Sequence, residues 1–464
     1  MSKLNSDVLY YIFQDLHCLI TASSNNKRNF KKSLYSCLFI NKRWCEIMIQ
    51  ILWSYPYKYA YNNKSLLDII ISHLSDNSIK FLKDKNIIEA NFQKQKLSFN
   101  YVRFCKYLKN IDEVIPNKHL LKEEIYKLFI SECSSIKCLS SDMMSYSICE
   151  YPGSNFSLSN LYELNIRARY SKFYHKLAQI CSSIEKIHIS NYEETSGIAE
   201  LIEMQKQIKY IFIDKYPKCK KINQALKKHV NSIVHLHLKI YESFHHNFLL
   251  SKLINLQYLR INDINYKLRK HEIYLNYYNL QILDLLQVSL DIAIDIIQNT
   301  NGGLWKIKIR LANCDRAKEY NQSIYKYCPN IKYVTVFLNR EGTLEELEKI
   351  FVKCQHLVAI DIDEIITNKY YDKFLDLLIE LAPFTLYKIH IGFVSLFNKE
   401  SLKLFFTKWR NRCKKNLHLY DRSNSWNKFI EICEVKDTII KLDYYEDDFW
   451  NHEIKWLNEY GQDY

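Results

Sequence analysis

Few residues in this chain have the types and spacing that catalysis or metal binding requires. His245 and His246 could ligate a metal, but adjacent side chains point apart on a helix or strand, so we interpret them as part of a solvated loop. Asp361 and Asp363 could together hold a divalent cation. Both flank Ile362, and the period of two in a strand places both carboxylates on one face. We expect a recognition surface there rather than a metal site.

Sequence motifs of the common enzyme classes are absent. The chain has no Gly-x-x-x-x-Gly-Lys phosphate loop, no Gly-x-Ser-x-Gly nucleophile turn and no His-Glu-x-x-His zinc motif. Its 14 cysteines include no Cys-x-x-Cys pair, the spacing typical of zinc ligands. We therefore expect a non-catalytic protein with no cofactor and no metal. The acidic run of residues 446–448 is expected to cap the end of a repeat array with polar groups.

Composition indicates a folded chain. Apolar residues make up 48% of the 464 residues, enough to bury a continuous core. The net charge of +14 could serve nucleic-acid binding, but it is dispersed along the chain, so a general residue bias is the favoured interpretation. Cysteines without a small disulfide framework suit reduced thiols in the cytoplasm or nucleus. We find no signal-peptide pattern and no apolar run of about 18 residues, so we expect no membrane association.

The N-terminal segment, residues 1–55, shows a helical pattern. Ser6 and Asp7 suit a helix start, and Leu9, Ile12, Phe13 and Leu16 then follow with the spacing of one helix face. A second apolar stripe runs from Leu34 to Leu52. A small helical cap would explain this pattern equally well on periodicity alone.

The order of particular residues in this segment resembles the F-box family. The matching strings are Leu4–Leu9, Ile12-Phe13, Leu16, Ser36–Leu38, Asn41–Cys45 and Ile51–Trp53. Asn5 stands where the family usually has proline, and the loop after the first helix is longer than usual. The resemblance implies binding to a Skp-type adaptor, which links F-box proteins to a cullin scaffold. The positions that it places at that interface are Leu4, Val8, Leu9, Ile12, Phe13 and Leu16.

A repeated pattern begins near position 131. Each unit has an apolar residue, two others, an apolar residue, one other and a third apolar residue, and ten clear units recur at nearly even intervals. They begin at Leu161, Ile184, Ile208, Ile233, Leu256, Leu280, Leu304, Ile331, Leu357 and Leu386. The step from Leu161 to Ile184 is among the shortest, and the step from Leu357 to Leu386 is the longest. A weaker unit precedes them at Ile136, and weaker units follow at Leu417 and Ile439. Helical stretches such as 344–352 and 370–381 lie between units.

A strand and a helix in every unit of about 20–29 residues resemble leucine-rich repeats, in which neighbouring units stack into a curved solenoid. A doubly wound sheet is the less favoured alternative, because ten evenly spaced copies share one pattern. Four cysteines each lie three residues before a unit, as in the cysteine-containing subclass common in F-box proteins. We expect these four to be small buried side chains at helix-to-strand corners, namely Cys133, Cys181, Cys328 and Cys354.

The residues that flank the two inward positions of each strand are expected to face outward. Side chains of this kind should form an exposed recognition surface, in which substitutions barely change stability. The predicted target-binding residues are Tyr210, Phe212, His235, His237, Tyr258, Arg260, Lys306, Lys308, Arg310, Tyr333, Phe337, Asp361 and Asp363. Lateral packing between neighbouring strands would account for any single aromatic residue equally well.

The sequence thus predicts an α/β chain with three parts. Residues 1–55 form a small all-α F-box module, 56–130 a helical bridge, and 131–464 a leucine-rich-repeat solenoid. The resemblance implies a non-catalytic substrate receptor of a ubiquitin ligase, which partners a Skp-type adaptor, a cullin scaffold and an unknown target protein. The alternatives are an interaction scaffold that delivers no substrate, and a basic nucleic-acid-binding repeat protein.

Overall fold

The computed structural model describes most of the chain. The described residues are 5–22, 27–60, 62–167, 170–190, 196–214, 220–240, 250–263, 277–310, 315–338, 341–365, 371–391, 398–412, 417–421 and 439–443. They divide into two units. The first contains the described residues of Met1–Ile211 and Pro217–His229, and the second those of Phe212–Tyr216 and Val230–Glu453. The predicted three-part division remains a prediction.

Short helices open the first unit. They are α1 (Ser6–Ala22), α2 (Lys27–Ser36), α3 (Lys42–Ser54), α4 (Pro56–Tyr59), α5 (Asn63–Ser72), α6 (Asp76–Asp84), α7 (His119–Glu132) and α8 (Ser154–Ser157). Side chains that satisfy free backbone N–H groups define several starts. The Asn41 side chain accepts a hydrogen bond from the Trp44 N–H at α3, and Ser75 accepts one from Ser78 N–H at α6. Pro56 begins α4, where the ring's fixed φ suits a helix.

The first unit continues with alternating strands and helices. These are β1 (Glu163–Arg167), α9 (Ser171–Ile180), β2 (Lys186–Ser190), α10 (Ser196–Met204), β3 (Tyr210–Ile213) and α11 (Lys220–Lys227), and the boundary between units falls within β3. Strands β1 and β2 pair in parallel. Cys138 forms isolated bridges with Tyr107 and Glu163, so the weak unit at Ile136 is a rudimentary strand beside β1.

The second unit repeats the same arrangement. Its elements are β4 (His235–Ile240), β5 (Tyr258–Asp263), β6 (Ile282–Leu286), α12 (Leu290–Gln298), β7 (Lys306–Arg310), α13 (Ala317–Tyr327), β8 (Tyr333–Leu338), α14 (Glu341–Lys353), β9 (Ala359–Ile365), α15 (Tyr371–Glu380), β10 (Lys388–Ile391), α16 (Lys399–Arg412), β11 (Leu417–Asp421) and β12 (Ile439–Asp443). Strands β4 to β12 lie in chain order, and each pairs in parallel with the next.

The strand register aligns equivalent positions of successive repeats. Leu236 pairs with Leu259, which pairs with Leu283 and so on along the sheet. The two inward positions of every strand from β1 to β10 are almost fully buried, each with at most 3% of its surface exposed. Each such side chain contributes about 1.5–3 kcal/mol of hydrophobic stabilisation. Stacking is required because a single strand and helix cannot bury this face alone.

Polar side chains connect successive repeats at the helix-to-strand corners. Asn255 Nδ2 donates to the Asn231 carbonyl over 2.8 Å, and Asn279 Nδ2 donates to the Ile254 carbonyl over 3.2 Å. Thr385 Oγ1 donates to the Leu357 carbonyl over 2.7 Å. These bonds satisfy turn carbonyls that no strand reaches.

The four corner cysteines are buried as predicted. Each is at most 2% exposed and either ends a helix or directly follows one. Burial raises the pKa of the Cys328 and Cys354 thiols to about 12. Such thiols behave as small apolar side chains. In the described part of the chain, no helix is long and apolar enough to cross a membrane.

Candidate interaction surfaces

The N-terminal helices form a small core of their own. Leu9 and Phe13 of α1 are 3% and 2% exposed and pack with Leu34 and Met48. The Trp44 ring meets Phe13 edge-on at 4.9 Å between centroids. Several residues that carry the F-box resemblance therefore have structural tasks within this segment.

The expected adaptor interface remains a prediction. Two of its residues, Leu9 and Phe13, lie inside the segment's own core, because α3 covers the same stripe of α1. Leu16 is partly buried against that core. Val8 and Ile12 are exposed, at 43% and 47%. Leu4 lies outside the described residues.

A group of large apolar side chains remains exposed on this segment. Three are on α1, and two are at the turn that precedes α3. The five are Val8, Tyr11, Ile12, Phe39 and Ile40. On a helix, positions 8, 11 and 12 share one face, whose centre lies roughly 130° around the axis from the buried stripe of Leu9 and Phe13. We call these five residues the N-terminal apolar patch.

The outward face of the second unit begins with stacked aromatic rings. The His235 ring stacks on Tyr258 with centroids 4.1 Å apart, and Phe212 lies 5.1 Å from His235. His237 meets Phe212 at 5.8 Å. Burial lowers the pKa of His237 to about 3, and the neighbouring Arg260 adds to this effect. The imidazole is therefore neutral near pH 7.

Cations on this face are neutralised by carboxylates of neighbouring strands. Arg260 Nε lies 3.5 Å from an Asp284 oxygen, and Lys239 Nζ lies 3.0 Å from Asp214. Burial raises the pKa of the adjacent Tyr258 hydroxyl, and the negative charge of Asp284 contributes. The pairs reduce the positive potential that the sequence places here.

A tyrosine lies between two lysines at the start of strands β7 to β10. The Lys306 and Lys388 ammonium groups are 5.9 and 5.7 Å from the centre of the Tyr333 ring, a cation–π arrangement. Lys306, Tyr333 and Lys388 are all at most 5% exposed. Tyr333 also packs on Ala359, whose small side chain leaves room for the ring.

Asp361 is the centre of a buried polar network. Its carboxylate accepts hydrogen bonds from Arg310 and from Thr335 Oγ1 (3.1 Å), and it pairs with His390 Nδ1. Asp361 is 0% exposed, and its partners come from β7, β8 and β10. Thr335 Oγ1 in turn accepts the Ile309 N–H at 3.1 Å. The hydroxyl thus replaces a sheet hydrogen bond, since the β7–β8 pairing ends at Ile307 and Val334.

Phe337 is buried in the part of β8 that no longer pairs with β7, since that pairing ends at Val334. Asn321 of α13 donates to the Phe337 carbonyl at 2.9 Å, and its side-chain oxygen accepts the Phe337 N–H at 3.4 Å. The pairing with β9 shifts register between Phe337 and Leu338. The Phe337 ring consequently meets Tyr320 at 5.4 Å and is fully buried.

The predicted exposure of the outward residues is therefore wrong for about half of them. Large side chains fold over small neighbours such as Ala359 and Thr335 and bury one another. The buried residues are His235, Tyr258, Lys306, Tyr333, Phe337 and Asp361. The partly exposed residues are Tyr210 of the first unit and Phe212, His237, Arg260, Lys308 and Arg310 of the second. Their part in target binding remains a prediction, and substitutions at Lys306 or Tyr333 should not be neutral for stability.

Sequence reasoning missed His390 and Lys388 as members of these clusters. Their outward register was visible in the repeat pattern, but nothing in the sequence showed which residues would meet across strands.

No group of three or more potential metal ligands occurs within the described ranges. The Asp363 side chain, His245, His246 and residues 446–448 lie outside them. Of the two aspartates that the sequence places on one face, the structure therefore describes only the side chain of Asp361. This carboxylate is already hydrogen-bonded to protein side chains.

The class of fold follows from these elements. Parallel strands in chain order, joined through helices and recurring at nearly even intervals along the sequence, form the architecture of leucine-rich repeats. No family model and no curated protein matches the chain. Among solved structures, a leucine-rich-repeat-containing protein from Legionella pneumophila, LegL7, is similar at 13% identity and a TM-score of 0.33. The match covers 60% of this chain and 92% of that one, and a likeness this low carries no argument about function.

Proposed function

We propose that the chain is a non-catalytic receptor. Its N-terminal helices would dock a Skp-type adaptor of a cullin-based ubiquitin ligase, and its repeats would hold a target protein. The carrying observation is the N-terminal apolar patch. A segment that already has its own core still exposes five large apolar side chains, up to 86% at Phe39. Large apolar side chains exposed in this number on a small segment are typical of protein interfaces.

The mechanism would be proximity. A receptor that holds the target near a charged ubiquitin-conjugating enzyme raises the effective concentration of acceptor lysines without reacting itself. Cytoplasmic or nuclear localisation, where such ligases act, belongs to the same proposal.

The test is capture of a recombinant Skp-type adaptor by the full chain. The double variant Val8→Asp, Ile12→Asp should reduce capture by more than about tenfold, because a charge buried in an apolar interface lacks a partner. Both residues are exposed, so the fold should survive, whereas Leu9→Asp would disrupt the core. Gln14→Asp on the same helix is the control, since Gln14 is exposed outside the apolar face. Wild-type capture by the folded double variant would refute the adaptor assignment.

A scaffold that binds the adaptor without delivering a substrate is distinguished by two measurements. They are whether cullin co-purifies with the chain and whether any bound protein gains ubiquitin. A nucleic-acid role is less favoured, because Lys239, Arg260 and Arg310 already pair with carboxylates. Binding that weakens steeply with salt would support it.

A further inference from the structure

Exposed apolar residues of the second unit share one structural position. Within the described ranges of this unit, the exposed large apolar side chains are Ile254, Tyr278, Tyr327, Val352, Phe384 and Leu404. All except Leu404 lie at the end of a helix or in the connection to the next strand. Because the amino ends of parallel strands lie at the same edge of a sheet, these connections share that edge. Among the described residues of this unit, apolar exposure is thus concentrated at one edge.

A second set of partly exposed apolar residues lies at the same edge, next to strands β7 to β10. Trp305, Val358 and Tyr387 directly precede three of these strands and are partly exposed. Trp305 and Val358 pack on the buried Tyr333 and Ala359, which anchor this set. We call the six residues Tyr327, Val352, Phe384, Trp305, Val358 and Tyr387 the strand-start edge.

The charge around the strand-start edge is positive. Lys326, Lys332 and Lys353 are exposed there, and within the described residues none of the three forms an ion pair. The Arg412 guanidinium lies 5.0 Å above the Phe384 ring. Exposed acids near this edge are Glu380, the last residue of α15, and Glu348, one helical turn before Val352. The edge therefore combines apolar contact area with cations, the composition of a binding surface for a partner that is apolar and acidic.

The outward face of the same strands offers a partner less accessible surface than the strand-start edge does. Lys306, Tyr333, Asp361, Lys388 and His390 are buried in contacts with one another. A partner would have to break these contacts to reach them, whereas the strand-start edge is accessible as it stands.

We propose that the strand-start edge of β7 to β10 binds an acidic amphipathic helix of a protein partner. Neighbouring strands are about 4.8 Å apart, and one helical turn rises about 5.4 Å, so a helix laid across the edge can place one apolar turn beside each strand start, in the row of Trp305, Val358 and Tyr387. Three to four turns span the four strands. The acidic flanks of that helix meet the three lysines. The proposal rests on the proposed function only in that the repeats hold a protein.

Synthetic peptides of roughly 15 residues, about four turns, are the probes. One has a leucine stripe with glutamate flanks, a second has the same stripe with lysine flanks, and a third replaces the stripe by serine. Fluorescence anisotropy measures their binding to the full chain. The test variant is Val352→Glu with Lys353→Glu. The matched control is Lys403→Glu with Leu404→Glu on α16, because Leu404 is 53% exposed and Val352 is 52% exposed.

We expect the glutamate-flanked peptide to bind, and to lose at least about tenfold in affinity with the edge variant and with either altered peptide. The α16 variant should bind as the wild type does. Equal losses in both variants, equal binding of lysine-flanked and glutamate-flanked peptides, or no binding at all would overturn the proposal. So would tighter binding of a single-stranded RNA oligonucleotide that the edge variant abolishes, or self-association that only the edge variant loses in sedimentation. Adaptor capture by the same preparations reports separately on the proposed function.

Discussion

Replacement of Asp361 by Asn tests whether the outward face of the repeats is held by its own charges. Asn preserves the size of the side chain but removes the negative charge that Arg310, Thr335 and His390 share. The Arg310 side chain is 14% exposed and that of His390 3%, so solvent cannot replace the lost charge. We expect the free energy of unfolding to fall strongly.

The magnitude follows from the burial. Removing one partner of a buried ion pair typically costs about 3–5 kcal/mol, because the remaining charge stays desolvated. In a unit of this size, 1 kcal/mol moves the melting temperature by roughly 2–4 °C. Circular dichroism melts should therefore show a decrease on the order of 10 °C in the transition of the second unit.

Two further variants separate the network from a general effect of lost charge. Asp376→Asn removes an exposed carboxylate from α15 and should change stability by less than about 0.5 kcal/mol. Arg310→Met with Asp361→Leu removes both charges and should cost less than Asp361→Asn alone, since no unpaired ion remains. A melting temperature for Asp361→Asn that matches Asp376→Asn would refute the reasoning, as would a double variant less stable than the single one.

Two other expectations follow from burial. In the native protein a maleimide should leave the four corner cysteines unmodified, whereas it should modify all cysteines of the denatured chain. The four are Cys133, Cys181, Cys328 and Cys354. Rapid labelling of these four in the native protein would show that the corners are open to solvent. The lowered pKa of His237 means that the unfolded chain binds a proton between about pH 6.5 and 3 that the folded chain does not, so stability falls as the pH decreases through this range. His237→Gln should reduce the slope of unfolding free energy by at most about 1.4 kcal/mol per pH unit, measured by urea denaturation from pH 7 to 4, and unchanged slopes would contradict the burial of this imidazole.

At the N-terminus, helical spacing predicted an apolar stripe on the first helix, but it did not predict whether the stripe belongs to the core or to an interface. Leu9, Ile12, Phe13 and Leu16 have helical spacing, which says that they share one side of a helix. Whether such a stripe is core or interface depends on what packs against it. Helix α3 covers Leu9 and Phe13, so the exposed surface moves to Val8, Ile12 and residues at the turn before α3.

The sequence by itself determined the repeat. An apolar residue at each inward position, a nearly even interval between units and a cysteine at four corners were sufficient to predict the strands, their register and the buried thiols. These features are local, since alternation decides which face of a strand a side chain occupies. Only the tertiary structure decided what happens on the outward face. Asp361 meets Arg310 from 51 positions earlier and His390 from 29 positions later, and such contacts depend on strand stacking, side-chain length and the small residues between them. The period of two in a strand cannot encode these contacts. It specifies which face of the sheet a side chain occupies, but not which side chains of other strands lie beside it.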